Sequence, residues 1–112
     1  MGINVASEQD MICGGFHLYG TGDSLDYVLV GAYTAQYNTP GTAKLIFDML
    51  TYNSAKIFDP GAKYGIEVGN DADLNLLDAD NIQEALRTRA SRPYILRRGR
   101  VIASFERKAS LL

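Results

Sequence analysis

The feature that most restricts folding is a lone strand-like stretch. "GINVAS", residues 2–7, stands at the N-terminus with no second strand-like run near it. Branched Ile3 and Val5 and the lack of any helix signal read as a short β-strand. A strand without a neighbour leaves the N–H and C=O groups of both edges unpaired, so it must join a sheet made elsewhere. The expectation is that the chain is a piece of something larger.

Two helical stretches come next. In "GDSLDYVLVGAYTAQY" Asp23 is placed to cap, Asp26 adds negative charge near the N-terminal dipole, and Leu25, Leu29, Ala32 and Tyr33 are expected on one face. In "NTPGTAKLIFDMLTYNSAKIFDPG" Thr39 is the expected cap, with Pro40 at the first helical position. Leu45, Ile46, Met49 and Leu50 then come at helical spacing, and Asp59-Pro60-Gly61 is the stop.

The style changes after Tyr64. "YGIEVGNDADLNLLDAD" combines glycines 65 and 69, a polar turn at Asn70-Asp71 and a strand-like stretch from Ala72 to Leu77. "DNIQEALRTR" reads as a short helix with a variant capping box from Asp80 to the turn carrying Gln83, and an Ile82/Leu86 apolar pair. "RPYILRRGRVIAS" reads as a β-hairpin turning at Arg98-Gly99. The division expected is 1–63, strand, loop and helices, and 64–112, a small β-rich segment with one helix.

Composition narrows the partners. Among 112 residues, 11 basic and 13 acidic side chains leave a formal charge of −2. This gives no general electrostatic case for nucleic acid or anionic membrane. Eight of the eleven positive charges lie between Arg87 and Lys108. They alternate with strand residues and lack the aromatic platform of a single-strand binder, so a solvated face paired with the acidic run Asp71 to Glu84 is the favoured reading. The longest apolar run, "YVLVGAY", is far shorter than the ~20 residues that span a bilayer. Cys13 is the single cysteine, which rules out an internal disulfide and fits a reducing, cytoplasmic setting. His17 is the single histidine, too few for this chain alone to build a catalytic zinc site. A solvent-facing or core role is favoured for it.

Within "VASEQDMICGGFHLYG" a single carboxylate, Asp10, follows the strand and precedes a glycine-rich loop. From the residues alone it has two readings. It is a polar residue closing a short strand, or it is a site acid, because loops leaving the carboxyl ends of parallel strands line ligand sites.

The pattern resembles a known family. "YGIEVGNDADLNLLDADNIQEALRTRASRPYILRRGRVIAS" is similar to the C-terminal end of metal-dependent amidohydrolases, above all the cytosine deaminase branch, through Gly65, Ile66, Gly69, Asp71, Ala72, Asp73, Leu74, Glu84, Ala85, Leu86, Arg87, Tyr94, Arg97, Gly99 and Val101. "EQDMICGGFHLYGTGDSLD" keeps the family's acid at Asp10, its glycine at Gly20 and its "GTGD" helix start, and "LTYNSAKIF" resembles the segment before the small domain. The resemblance covers nearly the whole chain. It implies an α/β fold class: the last strand and helices of a (β/α)8 barrel, plus part of a small β-sandwich. Such a barrel usually needs ~250 residues, which leaves most of it outside this chain.

The resemblance also implies chemistry. Asp10 would be the acid at the end of the eighth strand, ligating or approaching a divalent metal, zinc or iron, whose other ligands lie outside this chain. A divalent ion lowers the pKa of its water, and the carboxylate would take that proton and pass it to a departing nitrogen. The implied reaction is hydrolysis of a non-peptide C–N bond, a deamination of a cytosine-like or related nitrogen heterocycle. Phe16 stands where relatives carry a tryptophan that packs on a planar ring, against the alternative of a loop anchor. Met11 would form an apolar, adaptable wall of the substrate pocket.

Departures from the family narrow the substrate. Glu8-Gln9 replaces Gly-His and Gly14-Gly15 replaces Asp-Pro, which argues against cytosine itself and leaves triazines, isoguanine-like purines and creatinine-like cyclic amidines. The isolated chain is expected to hold no metal and to be inactive without the missing barrel segment. The alternative is a non-catalytic, truncated remnant with a structural or homo-oligomer-forming role.

Overall fold

The computed structural model describes residues 2–15, 18–39, 41–61, 63–106, 108 and 110. The fold is a mixture of helix and antiparallel sheet in two compact units, Met1–Ala62 and Lys63–Leu112.

Among the described residues the first unit holds three helices: α1 (Ser24–Thr34), α2 (Thr42–Leu50) and α3 (Tyr52–Phe58). Helix α1 starts where its cap dictates. Asp23 has extended backbone, and its carboxylate accepts a hydrogen bond from the Leu25 N–H at 2.9 Å, satisfying a donor that has no partner inside the helix. Its buried stripe is Leu25, Val28, Leu29 and Ala32. Tyr33, expected on that face, is 73% exposed, while Val28 is 2% exposed. At about 100° per residue, Tyr33 lies about 80° round from Leu25, and Val28 closes the other side of the stripe.

The long second helix expected from sequence is broken in two. Thr51, with φ −118° and ψ −93°, interrupts it. The Thr51 hydroxyl donates to the Phe47 carbonyl at 2.8 Å and the Ser54 hydroxyl to the Met49 carbonyl at 2.6 Å, so side chains compete for the carbonyls that a continuous helix would use. Nor does Thr39 cap α2 with its side chain. Gly41 is the N-cap, and the Thr39 carbonyl accepts from both the N–H and the hydroxyl of Thr42. Pro40 lies outside the described residues. The stop after Phe58 forms as read: the Asp59 carboxylate turns back to accept from the Gly61 N–H at 3.0 Å.

"GINVAS" is not a strand here. Its described residues pair with no sheet; they lie along the junction of α2 and α3 instead. Asn4 donates its side-chain amide to the Asn53 carbonyl at 2.9 Å, Asn53 returns one to the Val5 carbonyl at 2.8 Å, and the Ser7 N–H reaches the Met49 carbonyl at 3.0 Å. A strand is defined by its neighbour, and none of the described residues supplies one. Ile3 remains 90% exposed.

In the second unit, β1 (Leu74–Leu76), β2 (Tyr94–Arg97) and β3 (Arg100–Ser104) form an antiparallel sheet in chain order, with α4 (Ile82–Thr88) between β1 and β2. Leu74 faces Leu96 across the first pair. In the second, Ile95 faces Ala103 and Leu96 faces Val101, so Ile102 is the extra residue of a bulge. The β2–β3 turn has positive φ at both Arg98 (48°) and Gly99 (74°), which is what a two-residue hairpin of the right twist demands.

Helix α4 is capped one residue later than expected. The Asn81 side chain, and not Asp80, accepts from the Glu84 N–H at 2.9 Å. Ala85 and Leu86, with Ala90 just beyond the helix, are buried. No described helix is long and apolar enough to cross a membrane.

Candidate active-site loop

Residues 8–22 lead from the N-terminal stretch into α1 and carry the proposed acid. The Gln9 side-chain amide donates to the Met11 carbonyl, spanning Asp10, where the backbone bends. The Asp10 carboxylate is exposed, and no described residue hydrogen-bonds or ion-pairs with it. Among the described residues its carboxylate is thus an exposed acceptor, able to take a proton or a ligand.

The loop is shaped by small residues. Met11 is 41% exposed, and its thioether lies against Gly14, where a Cβ would collide with the sulfur. The Cys13 thiol donates to the Leu18 carbonyl at 3.4 Å, tying one arm of the loop to the other. At the exit, the Thr21 hydroxyl donates to the Asp26 carboxylate at 2.7 Å and accepts from the Asp23 N–H at 3.1 Å, so the loop enters α1 through a closed turn. Ile12 packs its carbonyl against Gly20 and its side chain beside Gly22.

Of the residues singled out from sequence, Asp10 and Met11 are neighbours on this loop, while Phe16 and His17 lie outside the described residues. What sequence reading missed is the framework. Ile12 and Tyr27 both close on Gly20, a contact whose only sequence signal is the glycine itself at the head of "GTGD".

The loop does not amount to a metal site by itself. A protein zinc site usually draws on three or four ligands, and no group of three His, Cys, Asp or Glu side chains converges among the described residues. Asp10 could serve as one ligand of such a site and no more.

No protein-family model matches the chain. N-isopropylammelide isopropyl amidohydrolase of Pseudomonas sp. (strain ADP) is 31% identical over 105 residues, covering 94% of this chain and 26% of that protein. The crystal structures of 5-methylcytosine deaminase from Klebsiella pneumoniae, liganded with 5-fluorocytosine and with phosphonocytosine, each superpose with a TM-score of 0.88 at 31% identity. Each covers 98% of this chain and 27% of the deaminase. The chain thus spans about a quarter of the length of the relatives it matches. The Pseudomonas amidohydrolase matches in sequence and the Klebsiella deaminase in both sequence and fold, and together they show the chain to be similar, along nearly all of its own length, to one section of the cytosine deaminase-like amidohydrolases.

Proposed function

We propose that this chain is the C-terminal section of a metal-dependent hydrolase acting on non-peptide C–N bonds, and that Asp10 is the site acid it contributes. The observation that carries the reading is the match of nearly the whole chain, loop included, to about a quarter of two C–N hydrolases. On this reading "GINVAS" is the last barrel strand, which becomes a strand only beside the rest of the barrel. The second unit is part of the small β-sandwich.

The chemistry asked of Asp10 is that of the family the chain resembles, and its exposure leaves the carboxylate open to it. Exposed and without a described partner, its carboxylate accepts a proton from an attacking water and returns it to the departing nitrogen, so that ammonia or an amine leaves in neutral form. The remaining machinery, including a zinc or iron ion and its other ligands, is proposed to lie in the longer protein; among the described residues no three His, Cys, Asp or Glu side chains converge. The substrate we propose is a planar nitrogen heterocycle, with triazines ahead of cytosine itself. Met11 and the Gly14-Gly15 turn replace charged and rigid elements of the cytosine-type loop with apolar, adaptable ones. Phe16 is proposed to stack on the ring.

The test is to read the coding frame upstream of the Met1 codon, produce the whole encoded protein and assay ammonia or amine release from a panel of triazines, purines and pyrimidines. Turnover that Asp10→Asn lowers by about 10²- to 10⁴-fold supports the proposal. An active hydrolase indifferent to Asp10→Asn, or a frame that encodes no metal-ligating histidine pair, would falsify it.

A further inference from the structure

Gly20 sits where no side chain fits. A Cβ there would run into the carbonyl oxygen of Ile12 and the hydroxyl of Tyr27. Gly15, in the same loop, is the reverse case, since a Cβ on it would meet nothing within 4 Å among the described residues. The two glycines therefore differ in kind. One is compelled by packing, and no described residue compels the other.

The compelled one links a rigid element to the acid. Tyr27 projects from α1, which is anchored by the buried Leu25, Val28 and Leu29. Ile12 is two residues from Asp10, and with planar peptides only a few soft torsions separate the Ile12 carbonyl from the Asp10 side chain. We infer that Gly20 is a positioning residue: having no side chain, it lets the returning arm of the loop seat between Tyr27 and the Ile12 carbonyl, and that seating sets where Asp10 is presented. The catalytic meaning of this position rests on the proposed role of Asp10; the seating does not.

Amide spectra of the ¹⁵N-labelled full chain test it. Gly20→Ala should displace the signals of Asp10, Met11 and Ile12 while those of α4 and the hairpin stay in place, and Gly15→Ala should move the three far less. The double variant Gly20→Ala/Tyr27→Phe should remain displaced, because the Ile12 carbonyl still obstructs the methyl group. Unmoved signals in Gly20→Ala, equal displacement by Gly15→Ala, recovery in the double variant, or loss of dispersed signals throughout residues 2–61 would each overturn the inference. In the longer enzyme Gly20→Ala should lower kcat by up to about 10²-fold with KM little changed. Displaced signals beside an Asp10→Asn variant of normal turnover would sink the role of Asp10 and leave the seating of Gly20 intact, so the two failures are distinguishable.

Discussion

The Asp73 carboxylate accepts a hydrogen bond from the backbone N–H of Arg98 at 2.6 Å, across 25 residues of sequence. Beside it the Gly99 N–H donates to the Ala72 carbonyl at 3.0 Å. The residues that open β1 thus secure both positions of the β2–β3 turn, where Arg98 carries a positive φ that a residue with a Cβ adopts reluctantly. Asp73→Ala should destabilise the hairpin by about 1 kcal/mol, the net worth of a typical intramolecular hydrogen bond. Asp73→Asn, which keeps an acceptor oxygen, should lose less. Amide exchange of residues 94–104 reads the difference, and equal protection in all three proteins would refute it.

Helix α1 depends on Asp23 in the same way. Removing the carboxylate that accepts from the Leu25 N–H should cost about 1 kcal/mol in Asp23→Ala, with Asp23→Ser restoring most of it. Thermal unfolding followed by far-ultraviolet circular dichroism checks this. A variant with unchanged midpoint would show that the cap is idle.

The corrected face of α1 gives a sharp contrast. Leu25 is buried, so Leu25→Ala should destabilise the first unit by about 2–5 kcal/mol through lost burial and the cavity left behind. Tyr33→Ala, on the exposed side, should stay within about 0.5 kcal/mol. Chemical denaturation of the two variants decides between the observed stripe and the one expected from spacing alone.

Helix α4 should respond to acid. Arg87 donates to both oxygens of Glu84, at 2.6 to 3.1 Å, and this hydrogen-bonded pairing holds the Glu84 carboxyl below its ordinary value of 4.5. A carboxyl that titrates lower when folded stabilises the fold fully above pH 4.5, and the contribution is lost as the pH falls through the lowered value. Both side chains are well exposed, so the effect is small and salt-sensitive. Amide protection of residues 82–88 should fall in acid in the native protein and lose that part of its pH dependence in Glu84→Gln; identical profiles would refute the pairing's role.

What the amino-acid sequence determined by itself is what a few adjacent residues can settle. Asp23 caps α1 because its own side chain reaches an N–H two residues on. Asp59 ends α3 by the same short reach, and Arg98-Gly99 turns the chain because a glycine beside it tolerates positive φ. The likeness to the amidohydrolases, and with it the candidacy of Asp10, was legible for the same reason, being carried by short runs such as "GTGD" and "EALR". Tertiary structure decided whatever depends on residues far apart. "GINVAS" has strand composition but hydrogen-bonds to Asn53 and Met49, because a strand needs a neighbour and not only a propensity. Thr51 broke the second helix once its hydroxyl found the Phe47 carbonyl, and Asn81 displaced Asp80 because only one of two adjacent cap formers can meet the Glu84 N–H. In the candidate site the sequence could name Asp10 but not what holds it. The seating of Gly20 between Ile12 and Tyr27 exists only when loop and helix are packed, since steric exclusion is a property of neighbours in space and not in sequence.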